Sequence, residues 1–240
     1  MSIFKDIFLD ICSKFKQVLP AQPCLLCGSM TPHSILCDAC DASLPYLKAA
    51  HCPVCALPTP NSAICGQCLQ HPPHYKRTIA VFAYAFPLNK LILALKYGEK
   101  LTLASFLAER LSHRTTVLPD CIVGMPLHPA RLKERGFNQS LLLSKQLGRH
   151  LNIPVLTHAC VRLRNTPSQS TMPLNERGRN MRKAFSCVQD VAGKHVAIVD
   201  DVMTTGATLN ELALALLNAG ATEVSAWVIA RTLPHTGPQS

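Results

Sequence analysis

The segment Val196-Ala-Ile-Val-Asp-Asp-Val-Met-Thr-Thr-Gly-Ala-Thr-Leu209 decides the fold of this chain. Its four leading apolar residues predict a buried strand of a parallel sheet, and the stretch from Thr208 to Asn218 predicts a helix. Small and hydroxyl-bearing residues form the turn between them. Backbone N–H groups in such a turn, together with the positive end of the helix dipole, favour the binding of a phosphate.

Two carboxylates, Asp200 and Asp201, precede this turn. They would repel a bare phosphate, but a carboxylate is a good acceptor for the hydroxyl groups of a sugar. The segment therefore predicts a ligand that carries both a phosphate and a diol, as ribose 5-phosphate does.

The same residues resemble the motif with which type I phosphoribosyltransferases bind phosphoribosyl pyrophosphate (PRPP). The resemblance implies that Asp200 and Asp201, the candidate catalytic residues, contact the ribose hydroxyls, and that the turn backbone binds the 5-phosphate. It also implies magnesium, which would accompany PRPP. The residues of this segment assigned to PRPP are Val199, Asp200, Asp201, Met203, Thr204, Thr205, Gly206, Ala207 and Thr208.

The chain after Tyr75 alternates short β-rich runs with longer helical stretches. This order predicts an α/β domain with a mainly parallel, Rossmann-like sheet, the architecture of type I phosphoribosyltransferases. The predicted strands are Thr78–Tyr84, Cys121–Met125, His195–Val199 and Glu223–Ala230. The predicted helices are Leu88–Tyr97, Leu103–His113, Asn138–Leu151 and Thr208–Asn218.

Two basic stretches flank the predicted strands. The first carries Arg131, Lys133 and Arg135 after the strand that ends near Met125. Ligands of open α/β sheets bind beyond the carboxyl ends of the strands, so Arg131 and Arg135 are assigned to the pyrophosphate of PRPP. The second stretch, 162–183, is polar and contains proline. It favours either a lid over the ligand or a track for a nucleic-acid backbone, and both interpretations stay open.

Cysteine usage divides the chain. Eight of the 12 cysteines form four Cys-x-x-Cys pairs, which are Cys24/Cys27, Cys37/Cys40, Cys52/Cys55 and Cys65/Cys68. Two thiolates with this spacing can hold one ion from a tight turn, and two such turns complete the tetrahedral sulfur shell of zinc. The pairs predict two structural zinc sites, whose grouping, sequential or interleaved, stays open. The other cysteines, Cys12, Cys121, Cys160 and Cys187, are predicted to be small core residues.

The remaining features predict the domain limits, the cellular location and the charge of the partners. Residues 1–19 predict an amphipathic helix, 20–74 the Cys-rich zinc module and 75–240 the larger domain, with a proline-containing seam at Gln70–His74. The sequence contains neither a secretion signal nor an apolar run long enough to span a membrane, so a reducing, cytoplasmic location is expected. The formal net charge of +10 favours phosphates, nucleic acid or an anionic membrane face as partners.

The whole chain resembles the ComF (ComF/GntX) family, which joins an N-terminal Cys-rich zinc module to a phosphoribosyltransferase-like domain. The segments that carry the resemblance are the Cys pairs, Leu91–Lys100, Arg135-Gly-Phe-Asn-Gln139 and the PRPP motif. The resemblance implies a link to natural competence and to the handling of incoming single-stranded DNA, with protein partners in the DNA-uptake machinery.

Three functions are compatible with these features. The chain could transfer phosphoribosyl to an acceptor that the sequence does not specify. It could be a non-catalytic protein that binds single-stranded DNA and uses the predicted phosphate-binding loop, Val199 to Thr208, as a regulatory site. It could also be an adaptor whose zinc module docks a protein.

Overall fold

The computed structural model describes residues 21–32, 34–47, 50–98, 101–163 and 184–234. The predicted N-terminal helix and most of the second basic stretch lie outside the described residues. The chain divides into two compact units, Met1–Leu44 and Pro45–Ser240. This division falls earlier than the predicted seam at Gln70–His74, because Cys52, Cys55 and Cys68 pack into the core of the larger unit.

The described part of the smaller unit contains a two-stranded antiparallel ribbon and one short helix. Strand β1 (Gln22–Pro23) pairs with β2 (Met30–Thr31), and helix α1 spans Asp38–Ala42. A tight turn follows Cys24, whose carbonyl oxygen accepts a hydrogen bond from the Gly28 N–H at 2.9 Å. The turn therefore folds the backbone back on the first Cys-x-x-Cys pair.

The larger unit is organised around a four-stranded sheet. Its strands, with those of a separate antiparallel ribbon, are β3 (Arg77–Ala83), β4 (Cys121–Gly124), β5 (Cys160–Arg162), β6 (Phe185–Cys187), β7 (His195–Met203) and β8 (Glu223–Arg231). The sheet has the order β3-β8-β7-β4, and every neighbouring pair is parallel. The parallel sheet predicted from the alternating pattern is thus confirmed. Strands β5 and β6 form the ribbon.

Helices of the larger unit connect and cover these strands. They are α2 (Gly66–Gln70), α3 (Leu88–Tyr97), α4 (Leu101–Ser112), α5 (Pro129–Arg135), α6 (Gln139–Leu151) and α7 (Ala207–Asn218). Four of them lie within two residues of the predicted boundaries. The start of α6 follows from its cap, since Asn138 Oδ1 accepts hydrogen bonds from the N–H groups of Ser140 and Leu141.

Helix α5 forms within the first basic stretch, which is not among the helices predicted from the sequence. Pro129 occupies the first turn, in which the missing N–H costs nothing. The His128 side chain accepts a hydrogen bond from Ala130 N, and Gly136 ends the helix with φ of +77°. Pro129 and the His128 cap therefore define the start of this helix.

The register of β4 against β7 positions the site. Gly124 lies opposite Val199, and Met125 N donates a hydrogen bond to the Val199 carbonyl oxygen at 2.8 Å. The chain segments that leave these two strands therefore emerge at the same edge of the sheet. No helix among the described residues has the length and apolar character needed to cross a membrane.

Candidate functional site

The acid pair lies inside strand β7, which extends to Met203 and not only to the predicted Val199. Successive side chains of a strand point to opposite faces. Asp200 and Asp201 accordingly lie on opposite faces of the strand and have different surroundings.

Asp200 lies beside the turn between β7 and α7. Its Oδ1 accepts hydrogen bonds from Ser140 Oγ at 2.8 Å and from the Asp201 N–H at 2.9 Å. Burial and the neighbouring Asp201 carboxyl raise the pKa of Asp200 to about 7. It shares a cavity of about 40 Å³ with residues of the turn and of the start of α7, which are Val202, Met203, Thr204, Gly206, Ala207, Thr208 and Leu209.

Asp201 is buried and forms an ion pair with Lys96 Nζ at 2.9 Å. Burial acts to lower the pKa of Lys96, but the Asp201 charge outweighs it and the pKa is raised. Lys96 was absent from the predicted site residues. The signal that could have identified it is a basic residue in the last turn of α3, inside the segment Ala94-Leu-Lys-Tyr-Gly98.

The turn requires glycine at Gly206. Its φ of +81° lies in the left-handed region, and a Cβ there would stand 2.6 Å from Met203 Cε and 2.7 Å from Tyr75 Oη. Thr204 and Thr205 are exposed, and Thr205 Oγ1 accepts a hydrogen bond from Ala207 N at 3.3 Å. The turn thus combines accessible hydroxyls with the N-terminal end of a 12-residue helix.

The predicted pyrophosphate ligands do not line this cavity. Arg131 is exposed and pairs with Glu134 at 3.3 Å. Arg135 donates a hydrogen bond to Gln139 Oε1 at 3.2 Å and lies 5.9 Å from the centroid of the Tyr97 ring. Both belong to α5, and Arg135 links this helix to the start of α6 and the end of α3.

A larger cleft of about 460 Å³ adjoins the end of β4. Its walls are mainly apolar and include Leu127, Phe137 and Leu141, while Lys145 and Arg162 supply positive charge. Burial lowers the pKa of Arg162, whose charge interacts with those of Asp200 and Arg131. Arg162 therefore lines the cleft and interacts electrostatically with Asp200 of the acid pair.

The eight predicted zinc ligands form two groups, Cys24/Cys27/Cys37/Cys40 and Cys52/Cys55/Cys65/Cys68. Within each group the sulfur atoms all lie within 4.8 Å of one another. A tetrahedral zinc–thiolate site places its sulfur atoms about 3.8 Å apart, as Zn–S distances near 2.3 Å require. The separations of 3.7 Å for Cys27–Cys37 and 3.6 Å for Cys55–Cys65 fit this geometry. The grouping is sequential.

The second cysteine group is connected to the turn between β7 and α7 through Arg231. This buried side chain donates from Nε to the Cys55 carbonyl oxygen at 2.7 Å and from Nη1 to the Met203 carbonyl oxygen at 3.1 Å. The same nitrogen contacts the Thr204 carbonyl oxygen. Thr78 Oγ1 adds a hydrogen bond to the Val54 carbonyl oxygen at 2.5 Å. Side chains on β8 and β3 thus hold the segment of the second cysteine group, and Arg231 also holds the end of β7.

Comparison with known proteins identifies both parts of the chain. A family model described as a phosphoribosyl transferase domain matches residues 138–239, and one described as a double zinc ribbon domain matches residues 15–69. The fold class and the two four-cysteine zinc-binding sites predicted from the sequence are therefore confirmed.

Three relatives bear names that refer to DNA utilization or to competence. The DNA utilization protein YhgH of Escherichia coli strain K12 is 42% identical over 173 residues, which cover 69% of this chain and 76% of that protein. Competence protein F of Haemophilus influenzae is 36% identical over 174 residues, covering 68% and 76%. Competence protein ComFC of Bacillus subtilis strain 168 is 29% identical over 163 residues, covering 64% and 63%. Because these matches extend over most of each chain, the predicted family is confirmed, and the chain belongs to the ComF family of competence-related, phosphoribosyltransferase-like proteins.

Proposed function

We propose that this protein binds PRPP at the loop between β7 and α7 and uses this site in the handling of incoming single-stranded DNA. The observation that carries the first half is the cavity shared by Asp200, Gly206 and the N-terminal turn of α7. A helix N-terminus favours a phosphate, and a carboxylate favours a sugar hydroxyl. Both ligand features therefore meet in one place.

The two acids take different parts in this proposal. Asp200 accepts the ribose hydroxyls directly, because it lines the cavity. Asp201 fixes the end of β7 through Lys96 and reaches the ribose only if the ligand competes for that ion pair. Lys96 thereby offers one cation beside the acids, and Arg131, Arg135 and Arg162 provide others for the pyrophosphate.

Magnesium belongs to the proposal through the ligand. A divalent ion bound with PRPP neutralises part of the pyrophosphate charge, and carboxylate oxygens such as those of Asp200 are suitable ligands for it. Phosphoribosyl transfer to an acceptor is the activity that this arrangement would serve. Asp200 would hold the ribose, with Asp201 joining it if the ligand displaces Lys96, while the basic residues stabilise the departing pyrophosphate.

The test is calorimetric titration of PRPP with magnesium into the zinc-loaded protein. We expect saturable binding by the wild type and a loss of more than about tenfold in affinity for Asp200→Asn. Asp190→Asn is the matched control, since it removes the same charge from an exposed loop position. Wild-type affinity in Asp200→Asn, or no binding by folded wild type, would refute the PRPP assignment.

The DNA half of the proposal is supported by the net charge of +10 and by relatives named for competence and DNA utilization. Lys133 is an exposed cation of α5 beside Arg131. We expect single-stranded DNA to bind with an affinity that falls steeply with salt, and Arg131→Gln/Lys133→Gln to reduce that salt dependence. Fluorescence anisotropy with a labelled oligonucleotide measures both. Absence of binding at low salt would leave PRPP as the only ligand of the proposal.

The cysteine chemistry supports a cytoplasmic location as part of the same proposal. Eight thiolates that ligate zinc persist most readily in a reducing compartment. Partners in the DNA-uptake machinery would be met there. Fractionation of cells that express the native protein, with zinc measured in the recovered protein, tests this location.

A further inference from the structure

The β5–β6 ribbon brings together two cysteines that the sequence analysis predicted to be isolated core residues. Cys160 and Cys187 lie directly opposite each other in the antiparallel register. Their Sγ atoms are 2.8 Å apart, and both thiols are free. Neither belongs to the zinc ligands.

The backbone hydrogen bonds show what kind of pair this is. Leu163 N donates to the Ala184 carbonyl oxygen at 2.8 Å, and Val188 N donates to the Ala159 carbonyl oxygen at 2.7 Å. Hydrogen-bonded and non-hydrogen-bonded pairs alternate along an antiparallel ladder, so Cys160 and Cys187 form a non-hydrogen-bonded pair. Such pairs have Cα atoms about 4.5 Å apart, within the range of roughly 4.4 to 6.8 Å that a disulfide bridges.

The two thiols differ in acidity and access. A hydrogen bond from the Cys160 thiol lowers the pKa of Cys187, whereas the pKa of Cys160 is raised by that contact and by burial. Cys160 is 7% exposed, while Cys187 is half-buried and lines an open cavity of about 530 Å³ beside α7. Cys187 is therefore the attacking thiol and Cys160 the resolving thiol.

We propose that Cys160 and Cys187 form a reversible disulfide and that this pair is a redox modification site whose oxidant is a low-molecular-weight disulfide. The Cys187 thiolate attacks one sulfur of the oxidant, forms a mixed disulfide and releases one small thiol. The Cys160 thiol then loses its proton and attacks Cys187 Sγ, which releases the second small thiol. The oxidant gains both electrons, and the two cysteines supply the two hydrogens.

The expected consequence lies in the ribbon itself. Each of its strands has only three residues, and so short a ribbon has little stability of its own. The bond would cross-link β5 to β6 and fix Arg162, two residues from Cys160, beside the large cleft. Since disulfides in reducing compartments are usually transient, the pair would be reduced at rest and oxidised under disulfide stress.

The test uses the zinc-loaded full chain with oxidised glutathione, followed by digestion with trypsin and mass spectrometry. We expect one cross-linked product that joins peptide 150–162 to peptide 184–194, with the loss of two hydrogens, full retention of zinc and reversal by reduced glutathione. Cys160→Ser should instead accumulate a mixed disulfide with glutathione on Cys187. Cys121→Ser, which removes another buried thiol, should behave as the wild type.

Three results would overturn the proposal. The first is that Cys160 and Cys187 stay reduced at a glutathione disulfide concentration that oxidises a dithiol of ordinary potential. The second is that Cys187 stops at the mixed disulfide in the wild type. The third is that either cysteine joins a zinc ligand, with zinc released. These outcomes do not depend on whether PRPP binds.

Discussion

The two four-cysteine groups share a spacing but differ in their surroundings. In the first group Cys27 is exposed and Cys37 and Cys40 are half-buried, within a unit that ends at Leu44. In the second, Cys52, Cys55 and Cys68 are buried in the same core cluster as Met203 and Leu209. Equal motifs therefore need not have equal roles. The second cysteine group is linked through Arg231 to the turn between β7 and α7.

The largest expected effect comes from removing one zinc ligand from each group. Cys55→Ser should lower the melting temperature of the larger unit strongly and abolish PRPP binding, because structural zinc contributes about 10 to 16 kcal/mol to such sites. Cys27→Ser should leave PRPP affinity within about twofold, because the contacts described for the loop come from the larger unit.

Zinc stoichiometry, thermal melting and calorimetry measure this pair of variants. Each variant should lose one zinc ion. Equal loss of PRPP affinity in both would contradict the difference between the two groups.

A smaller effect is expected when Arg231, which links the second cysteine group to the turn between β7 and α7, is replaced. Arg231→Met removes the side-chain donor to the Cys55 carbonyl oxygen, whereas the Met203 carbonyl oxygen keeps a hydrogen bond from Thr232 N at 2.9 Å. We expect a loss of about 2 kcal/mol in the free energy of unfolding, since an unsatisfied buried group costs about 1 to 3 kcal/mol. PRPP affinity should fall by about tenfold, with zinc retained. Denaturant unfolding and calorimetry check both values, and an affinity that does not change would show that Arg231 only stabilises the fold.

Gly206→Ala tests the turn between β7 and α7 without changing any residue of the second cysteine group. The added Cβ would clash with Met203 Cε and Tyr75 Oη in a left-handed backbone conformation. We expect about 2 kcal/mol of destabilisation and a clear loss of PRPP affinity. Gly193→Ala is the matched control, because Gly193 has φ of +72° but nothing within 4 Å of the new Cβ. It should cost about 1 kcal/mol and leave binding unchanged. Equal binding losses in both variants would point to a general effect of stability.

The smallest effect is expected at the contact between Thr78 and the segment of the second cysteine group. Thr78→Val removes the hydrogen bond to the Val54 carbonyl oxygen but keeps the bond from Thr78 N to the Pro53 carbonyl oxygen. We expect a loss of about 1 kcal/mol in unfolding free energy with no change in PRPP affinity. Thermal melting with calorimetry measures the two quantities. A loss of PRPP affinity as large as that of Arg231→Met would show that Thr78, like Arg231, couples the second cysteine group to PRPP binding.

Sequence patterns predicted the framework of the larger unit, because its information is local. The apolar run before Asp200, the small residues of the turn and the capping Asn138 act on their immediate neighbours. The end of β7 was placed too early, since two carboxylates in a strand are stabilised by Ser140 and Lys96, far away in sequence. Spacing alone could not group the cysteine pairs, because sequential and interleaved sites use the same motif.

The features that the sequence did not predict depend on contacts between residues far apart in the chain. Arg231 resembles any residue at the end of a strand until its three-dimensional neighbours are known. Cys160 and Cys187 are 27 residues apart, and only the register of β5 against β6 makes them a pair. The assignment of Arg131 and Arg135 to pyrophosphate remains a prediction.

The most direct test of PRPP binding at this loop is its dependence on pH. The pKa of Asp200 is about 7, so the side chain is largely neutral below that pH and ionised above it. A ligand that donates hydroxyl hydrogen bonds or brings magnesium prefers the carboxylate, and its affinity should therefore rise as pH increases through 7. Among the described residues, Asp201, Lys96 and Arg162 are charged groups that interact with Asp200 and influence this transition.

Calorimetric titration of magnesium and PRPP from about pH 6 to about pH 8 measures it, with Asp200→Asn as the reference that corrects for titration of the ligand's own phosphates. The predicted result is a wild-type affinity that falls up to about tenfold per unit below pH 7, while Asp200→Asn binds weakly and shows only the ligand's own dependence. Folded, zinc-loaded wild type that shows no saturable binding at any pH, or the same pH dependence in both proteins, would contradict the account.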